Sequence, residues 1–126
     1  MAGCARTRLS VTRAGHPSRM SDTPSTVLGA DASAGERGER LLARTANVAL
    51  RLWEGEEAGE QSPDHANRYD YVAYVISGAM RVRIGDAEPV EVRAGDSYAV
   101  PAGVPYRFEV TAAAKVVEAV APGNAI

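Results

Sequence analysis

The chain has 126 residues, of which 45% are hydrophobic, and a formal net charge of −2. A chain of this length is expected to form one domain around one hydrophobic core. The charge argues against nucleic-acid binding, because proteins that bind phosphate backbones are usually clearly basic. No apolar run in the sequence approaches the roughly 18 residues that a membrane-spanning helix needs. We therefore expect neither a nucleic-acid nor a membrane partner.

Cysteine and lysine usage indicates the setting of the protein. Cys4 is the single cysteine, so neither an intrachain disulfide nor a cysteine-ligated zinc site is predicted. This fits a cytoplasmic protein. Arginine supplies all the basic residues except Lys115, a bias that we attribute to a GC-rich, bacterial genome rather than to phosphate recognition.

The first 38 residues differ from the rest of the chain and are predicted to form a flexible N-terminal extension. Residues 1–19 contain four arginines, His16 and no acidic residue. Such a composition occurs in transit peptides, but an upstream mis-start or a disordered tail is the favoured interpretation. Met20 would then be the true start, and His16 would belong to no site. The stretch that follows, up to residue 38, is rich in small polar residues with little to bury.

A single β-barrel domain is predicted over residues 39–126. Apolar and other residues alternate with period two through residues 48–53, as in a β-strand. A helix over 39–52 is the competing interpretation, because Ala, Leu and Arg favour helices. The strand-rich sequence that follows favours strands here as well.

Short strand-like stretches separated by glycine and proline turns fill the remainder of the domain. They lie at 71–77, 80–84, 89–92, 97–100, 106–110 and 115–120, with a break at residues 78–79. About eight short strands at a spacing of roughly 8–12 residues are typical of an all-β sandwich or barrel. No long amphipathic helix is visible, so the fold class is predicted to be all-β.

The strand at 71–77 is apolar on both faces, with Tyr71 and Val75 on one and Val72 and Ile76 on the other. A strand with two apolar faces is usually covered on both sides. The last strand, 115–120, is also largely apolar. One small barrel cannot hide all of this surface, so we expect a homodimer.

Two motifs in the domain resemble those of a known family. The run GDSYAVPAGVPY at 95–106 contains glycines and a proline that form a turn and deliver Tyr106 to the start of a strand. The run HANRYDY at 65–71 precedes the apolar strand and Gly78. They resemble the second and first motifs of the cupins, here a small single-domain cupin over roughly residues 40–122. The resemblance implies a double-stranded β-helix, or jelly-roll barrel, in agreement with the predicted strands.

The cupin resemblance also implies a metal held by two histidines and an acidic residue or glutamine from the first motif and a histidine from the second. In this chain the four positions fall on His65, Asn67, Tyr71 (or Asp70, if the register shifts by one) and Tyr106. Transition-metal sites need several imidazole or carboxylate ligands. An amide and two protonated phenols are weak substitutes, and strand alternation points Asp70 away from the side of Tyr71. We therefore predict a degenerate site without a metal cofactor; a metal, if bound, would use these four residues.

The surviving pocket is predicted to bind a small molecule, because a concave cavity with a few convergent polar groups is the usual form of a ligand site. Tyr69, Tyr74 and Tyr98 are interpreted as ordinary strand residues, and Trp53 as either a core residue or a further pocket wall. The predicted pocket residues are His65, Asn67, Tyr71, Met80, Tyr106 and Phe108.

Three functions remain open from the sequence. The first is a metal-independent cupin that binds a small molecule. The second is an isomerase, epimerase, cyclase or lyase in which His65 acts as general base and Tyr106 as general acid, because histidine side chains titrate near neutral pH and a phenol can polarise a carbonyl. The third is a structural or partner-binding module with a vestigial pocket.

Overall fold

The computed structural model describes residues 24–62 and 64–126, with the side chains of residues 55 and 56 left out. The predictions about residues 1–23, including the start at Met20, lie outside this range. Seven strands within the described residues form one antiparallel sheet in the order β1-β2-β3-β7-β4-β5, and β6 pairs with β4. The strands are β1 (Ser33–Ala34), β2 (Arg40–Arg44), β3 (Ala49–Glu56), β4 (Asp70–Ile84), β5 (Val90–Arg93), β6 (Ser97–Val100) and β7 (Tyr106–Ala121).

The prediction of an all-β fold is confirmed. The only helical segments in the described part of the chain are short 3-10 turns at Gly29–Asp31 and Gly123–Ala125. The competing helix over 39–52 is wrong, because this stretch forms β2 and the start of β3. None of the helical segments in the described ranges is long and apolar enough to cross a bilayer.

Two long strands correct the predicted count of about eight short ones. The expected break at residues 78–79 lies inside β4, and the expected strands at 106–110 and 115–120 are both part of β7. Gly78 has a φ of +82°, and the pairing of β4 with β7 shifts register on both sides of it. A glycine can take this conformation without the clash of a Cβ. The chain therefore bends in a bulge within a continuous strand, where the sequence suggested an interruption.

The inner side of β4 forms the centre of the core. Tyr71, Ala73 and Val75 are buried, whereas Val72 and Tyr74 on the opposite face are 53% and 48% exposed. Of the two apolar faces of this strand, one therefore lies in the core and the other lies on the outside of the single chain.

The connection between β3 and β4 is hydrogen-bonded along β7. Backbone hydrogen bonds join Gly59 and Glu60 to Val110, Ser62 to Phe108, and His65 to Tyr106. The hydroxyl of Ser62 also accepts a hydrogen bond from the amide of Phe108, at 3.0 Å. The described parts of this connection therefore run beside β7 in an irregular, strand-like way, and His65 lies at the mouth of the barrel.

Candidate functional site

A cavity of about 250 Å³ opens into the barrel between the β3–β4 connection and the inner faces of β3, β4, β6 and β7. Trp53 also lines the cavity, as an additional wall. The six predicted pocket residues all lie in the cavity wall: His65, Asn67, Tyr71, Met80, Tyr106 and Phe108.

The hydroxyl of Tyr106 lies at the centre of a polar cluster. It is 2.8 Å from Nε2 of His65 and accepts a hydrogen bond from the side-chain amide of Asn67 at 3.3 Å. The rings of His65 and Tyr106 are in contact, with centroids 4.3 Å apart, and the ring of Tyr71 lies 5.4 Å from that of Tyr106. The structure thus brings Tyr106 of the second motif next to His65, Asn67 and Tyr71 of the first motif, from which it is distant in the sequence.

Burial keeps Tyr71, Tyr98 and Tyr106 protonated. Desolvation raises the pKa of Tyr71 well above the ordinary value, and the neighbouring Tyr98 and Tyr106 raise it further. Burial likewise raises the pKa of Tyr106, although hydrogen bonds with Tyr71 and Asn67 oppose the effect. Desolvation raises the pKa of Tyr98 as well, with a further contribution from the charge of Glu118. These phenols act as neutral donors and acceptors at neutral pH.

A buried ion pair forms another side of the cavity. Arg51 on β3 and Glu118 on β7 are register partners, and Nε of Arg51 lies 2.6 Å from Oε1 of Glu118. Both side chains are only 9% exposed. Nη2 of Arg51 donates a second hydrogen bond to the hydroxyl of Tyr69 at 3.2 Å, and the guanidinium stacks on the rings of Trp53 and Tyr69. Burial alone would lower the pKa of Arg51, but the charge and hydrogen bonds of Glu118 raise it, so the guanidinium stays charged.

The sequence reasoning missed this ion pair and two of the tyrosines. Tyr69 and Tyr98 line the cavity, although they were interpreted as ordinary strand residues, whereas Tyr74 is exposed on the outer face as expected of one. Glu118 lies in the strand that was classified as apolar. The pair could have been found from two opposite charges that face each other on neighbouring strands. That signal requires knowing that β3 pairs with β7, which the sequence alone does not give.

The donor set at the motif positions fits a divalent transition metal poorly. It offers one imidazole, one amide and two phenols whose pKa values are raised by burial, whereas such metals prefer several imidazole or carboxylate ligands. Asp70 is exposed, and its carboxylate accepts a hydrogen bond from the amide of Ala102 at 2.7 Å. Across the described residues, no three His, Cys, Asp or Glu side chains are grouped so that they could share a metal ion.

Comparison with known proteins gives a family and a fold. The family model of the cupin domain matches residues 53–120, just over half of the chain. No curated protein sequence matches the chain. The family match includes β4 to β6, most of β7 and the whole of the polar cluster around Tyr106.

Several solved structures are similar to the chain. KdgF from Halomonas sp. is 20% identical, with a TM-score of 0.67 over 79% of this chain and 94% of that one. An RmlC-like cupin from Shewanella frigidimarina is also 20% identical, with a TM-score of 0.69 over 79% and 92%. An RmlC-like cupin family protein with a double-stranded β-helix fold from Methanocaldococcus jannaschii is 24% identical, with a TM-score of 0.58 over 66% and 77%. At these identities the likeness concerns the fold, and it confirms the predicted jelly-roll barrel.

Proposed function

Because the chain belongs to the cupin domain family, we propose that its barrel cavity binds a small organic molecule without the help of a metal ion. The observation that carries the proposal is the cluster in which the side chains of His65 and Asn67 both contact the hydroxyl of Tyr106. These groups face a cavity of about 250 Å³, slightly below the usual range for drug-sized ligands. A molecule of metabolite size suits this space.

The walls of the cavity support the same function. Phe108, Met80 and Trp53 supply apolar contact area, and the polar cluster supplies a few directed hydrogen bonds. This combination gives affinity through burial of apolar surface and selectivity through hydrogen bonding. A vestigial pocket would be expected to fill with side chains, so the open cavity favours a ligand site over a purely structural role.

The proposal of a metal-free site depends on the chemistry of the donors. A tyrosine must lose its proton to become a strong metal ligand, and burial in this cavity opposes that loss for both Tyr71 and Tyr106. The polar groups instead satisfy one another. We assign the hydrogen-bonding capacity that these contacts leave over, such as that of the Asn67 amide, to a ligand.

The test combines metal analysis with a ligand screen. Tag-free protein, purified without chelator and again after metal supplementation, is analysed by elemental mass spectrometry and then screened by thermal shift against small polar compounds. We expect substoichiometric metal, and ligands whose stabilising effect survives EDTA, disappears in His65→Ala and persists in the exposed neighbour variant Arg68→Ala. A stoichiometric transition metal would overturn the metal-free proposal. A folded protein that no compound stabilises would contradict ligand binding.

A second candidate function is acid–base catalysis, such as an isomerisation, epimerisation, cyclisation or lyase reaction. The distance of 2.8 Å between Nε2 of His65 and the hydroxyl of Tyr106 favours it, because a base and an acid in hydrogen-bond contact can move a proton at a bound substrate. Ligands from the screen are incubated with the protein in D₂O and followed by NMR. Loss of a carbon-bound proton signal, or a new product, that requires both His65 and Tyr106 would identify an enzyme; unchanged ligand would identify a binder.

A further inference from the structure

We infer that Arg51 is the group that selects the ligand, and that the ligand is a small monocarboxylic acid with a hydroxyl or carbonyl oxygen at its other end. The carboxylate would bind the guanidinium of Arg51, and the second oxygen would meet the hydroxyl of Tyr106. This inference rests on the proposed function of the cavity and adds the chemical class of its ligand.

The first support is the way in which Arg51 is paired. An arginine and a carboxylate usually form two parallel hydrogen bonds, but here a single contact joins Nε to Oε1 of Glu118. Nη2 gives one hydrogen bond to Tyr69. Neither of these hydrogen bonds uses Nη1. The edge of the guanidinium formed by its two Nη atoms therefore retains donors in the wall of the cavity.

The second support is that this edge is held in place. Arg51 is buried, and the rings of Trp53 and Tyr69 lie 5.4 and 5.6 Å from its guanidinium carbon. A fixed planar fork with remaining donors matches the planar geometry of a carboxylate. A flexible surface arginine would lose more conformational entropy on binding the same group.

The charged residues that line the cavity are Arg37, Arg51, Glu39, Glu60 and Glu118, and with more carboxylates than cations they disfavour a ligand with more than one negative charge. Glu118 neutralises Arg51 on one side, so a dianionic phosphate would place two charges beside an existing carboxylate in a site of low dielectric constant. A neutral amide could accept from Nη1, but as a dipole it would gain less from the positive charge than an anion does. A monocarboxylate uses both the geometry and the charge of the guanidinium.

Matched pairs of acids and primary amides test the inference. We use glycolate and glycolamide, pyruvate and pyruvamide, and 4-hydroxybenzoate and 4-hydroxybenzamide. Trp53 is the single tryptophan of the chain and lies against Arg51, so its indole N–H signal in ¹⁵N NMR reports on the site. We expect at least one acid to bind at least about tenfold more tightly than its amide, the factor that corresponds to 1.4 kcal/mol.

Two double variants separate recognition by Arg51 from general charge effects. Arg51→Gln with Glu118→Gln removes the buried pair without leaving either charge unpaired, and it should abolish the preference for the acid. The control is Arg81→Gln with Glu109→Gln, because these residues are also register partners on paired strands but form an exposed ion pair at 2.9 Å. This control should keep the preference. Arg51→Lys, which retains the charge but not the fork, should weaken the preference.

The outcomes distinguish this inference from the proposed function. If the amides bind as tightly as the acids, or if the preference survives in the Arg51 and Glu118 double variant, recognition of a carboxylate by Arg51 is overturned while the ligand site stands. If no acid binds but neutral compounds from the thermal-shift screen do, the inference about the carboxylate fails and the proposed ligand site stands. If nothing binds in either experiment, both fail. If the double variant does not fold, equal binding of acids and amides by the unmodified protein still overturns the inference, and an acid preference that Arg51→Lys leaves unchanged overturns it as well.

Discussion

His65 and Tyr106 are joined both through the backbone and through their side chains. Two backbone hydrogen bonds, of 3.1 and 2.9 Å, form an isolated antiparallel bridge between them, and their side chains meet at 2.8 Å. The residues are 41 positions apart in the sequence. Because the bridge aligns the two backbones, little further ordering is needed to bring the imidazole to the phenol. The relative position of this imidazole and this phenol is therefore set by the sheet.

Removing the phenol oxygen should weaken the site more than the fold. Tyr106→Phe deletes the contacts of this oxygen with the half-buried His65 and Asn67 and with Tyr71, which water in the open cavity can partly replace. We expect the free energy of unfolding to fall by about 1 kcal/mol and the affinity for any cavity ligand to fall at least about tenfold. Urea unfolding and ligand titration measure the two effects. The matched control Tyr74→Phe, on the exposed outer face, should change neither; equal effects from both variants would contradict the assignment.

The ion pair of Arg51 and Glu118 should show strong coupling. A single Arg51→Gln or Glu118→Gln change leaves one buried charge without its partner, and we expect each to lower the free energy of unfolding by about 3–5 kcal/mol. The double change removes both charges, so it should cost clearly less than the sum of the two single changes. A double-mutant cycle in urea measures this coupling. Additive effects would mean that the two side chains do not interact in solution.

Alkaline pH should destabilise the protein. Burial raises the pKa values of Tyr71, Tyr98 and Tyr106 in the folded chain, whereas in the unfolded chain tyrosine ionises near pH ~10. The stabilisation is thus complete below pH ~10 and is lost as the pH rises towards the folded pKa values. The free energy of unfolding should fall by up to about 1.4 kcal/mol per pH unit for each of the three residues.

Ultraviolet titration of tyrosinate measures the same groups directly. The chain has five tyrosines, and we expect only part of the full absorbance change in the folded protein near pH ~10, with the rest appearing on unfolding. A single titration of all five near that pH in the folded state would contradict the burial of the cavity phenols.

Gly78 should be far less tolerant of substitution than Gly95. Both have positive φ, +82° and +95°, so alanine at either position carries a backbone cost of about 1–2 kcal/mol. At Gly78 a Cβ would also collide with the carbonyl oxygen of Ala113 on β7, whereas at Gly95 nothing lies within 4 Å. We expect Gly78→Ala to lower the free energy of unfolding by about 3 kcal/mol or more, and Gly95→Ala by about 1 kcal/mol. Similar losses of stability for the two variants would mean that Gly78 does not lie in close contact with β7.

The predicted homodimer gives a test on the outer face of the barrel. Leu50, Ala119 and Val72 are register partners across β3, β7 and β4, and Leu50 and Val72 are exposed in the single chain. Apolar side chains side by side on a sheet suit a two-fold interface. We expect the protein to sediment as a dimer and Val72→Glu to weaken its association at least about tenfold. Val90→Glu, at an exposed valine on β5, should remain dimeric, and a monomeric unmodified protein would overturn the prediction.

The barrel was predicted from local signals, whereas the cluster around Tyr106 was predicted from the resemblance of the two motifs to those of the cupins. Glycine and proline turns set the strand ends, and β6 occupies the predicted residues 97–100. The kink at Gly78 was misjudged, because a positive φ can end a strand or bend it, and only the pairing with β7 decides between them. Such pairing is a long-range property that a local pattern does not contain.

The charged side of the cavity escaped prediction for a related reason. In residues 48–53 the more apolar set is Val48, Leu50 and Leu52, yet Ala49 and Arg51 are the buried residues and Leu50 is 39% exposed. Period two identifies a strand without saying which face is inside. Glu118, 67 positions later in the chain, compensates the charge of the buried Arg51. This partnership can be recognised only once the pairing of the strands is known.

The hydrogen bonds that join Gly59, Glu60, Ser62 and His65 to β7 have a consequence for the ligand binding proposed above. Because this connection is fixed to the sheet, the entropy of arranging the site is lost during folding and not during binding. Discrimination between ligands then depends on how well each ligand fits the shape of a preformed cavity, with little adaptation by the protein. We therefore expect substitutions at Ser62, whose hydroxyl accepts a hydrogen bond from the amide of Phe108, to alter selectivity by shifting the connection relative to β7.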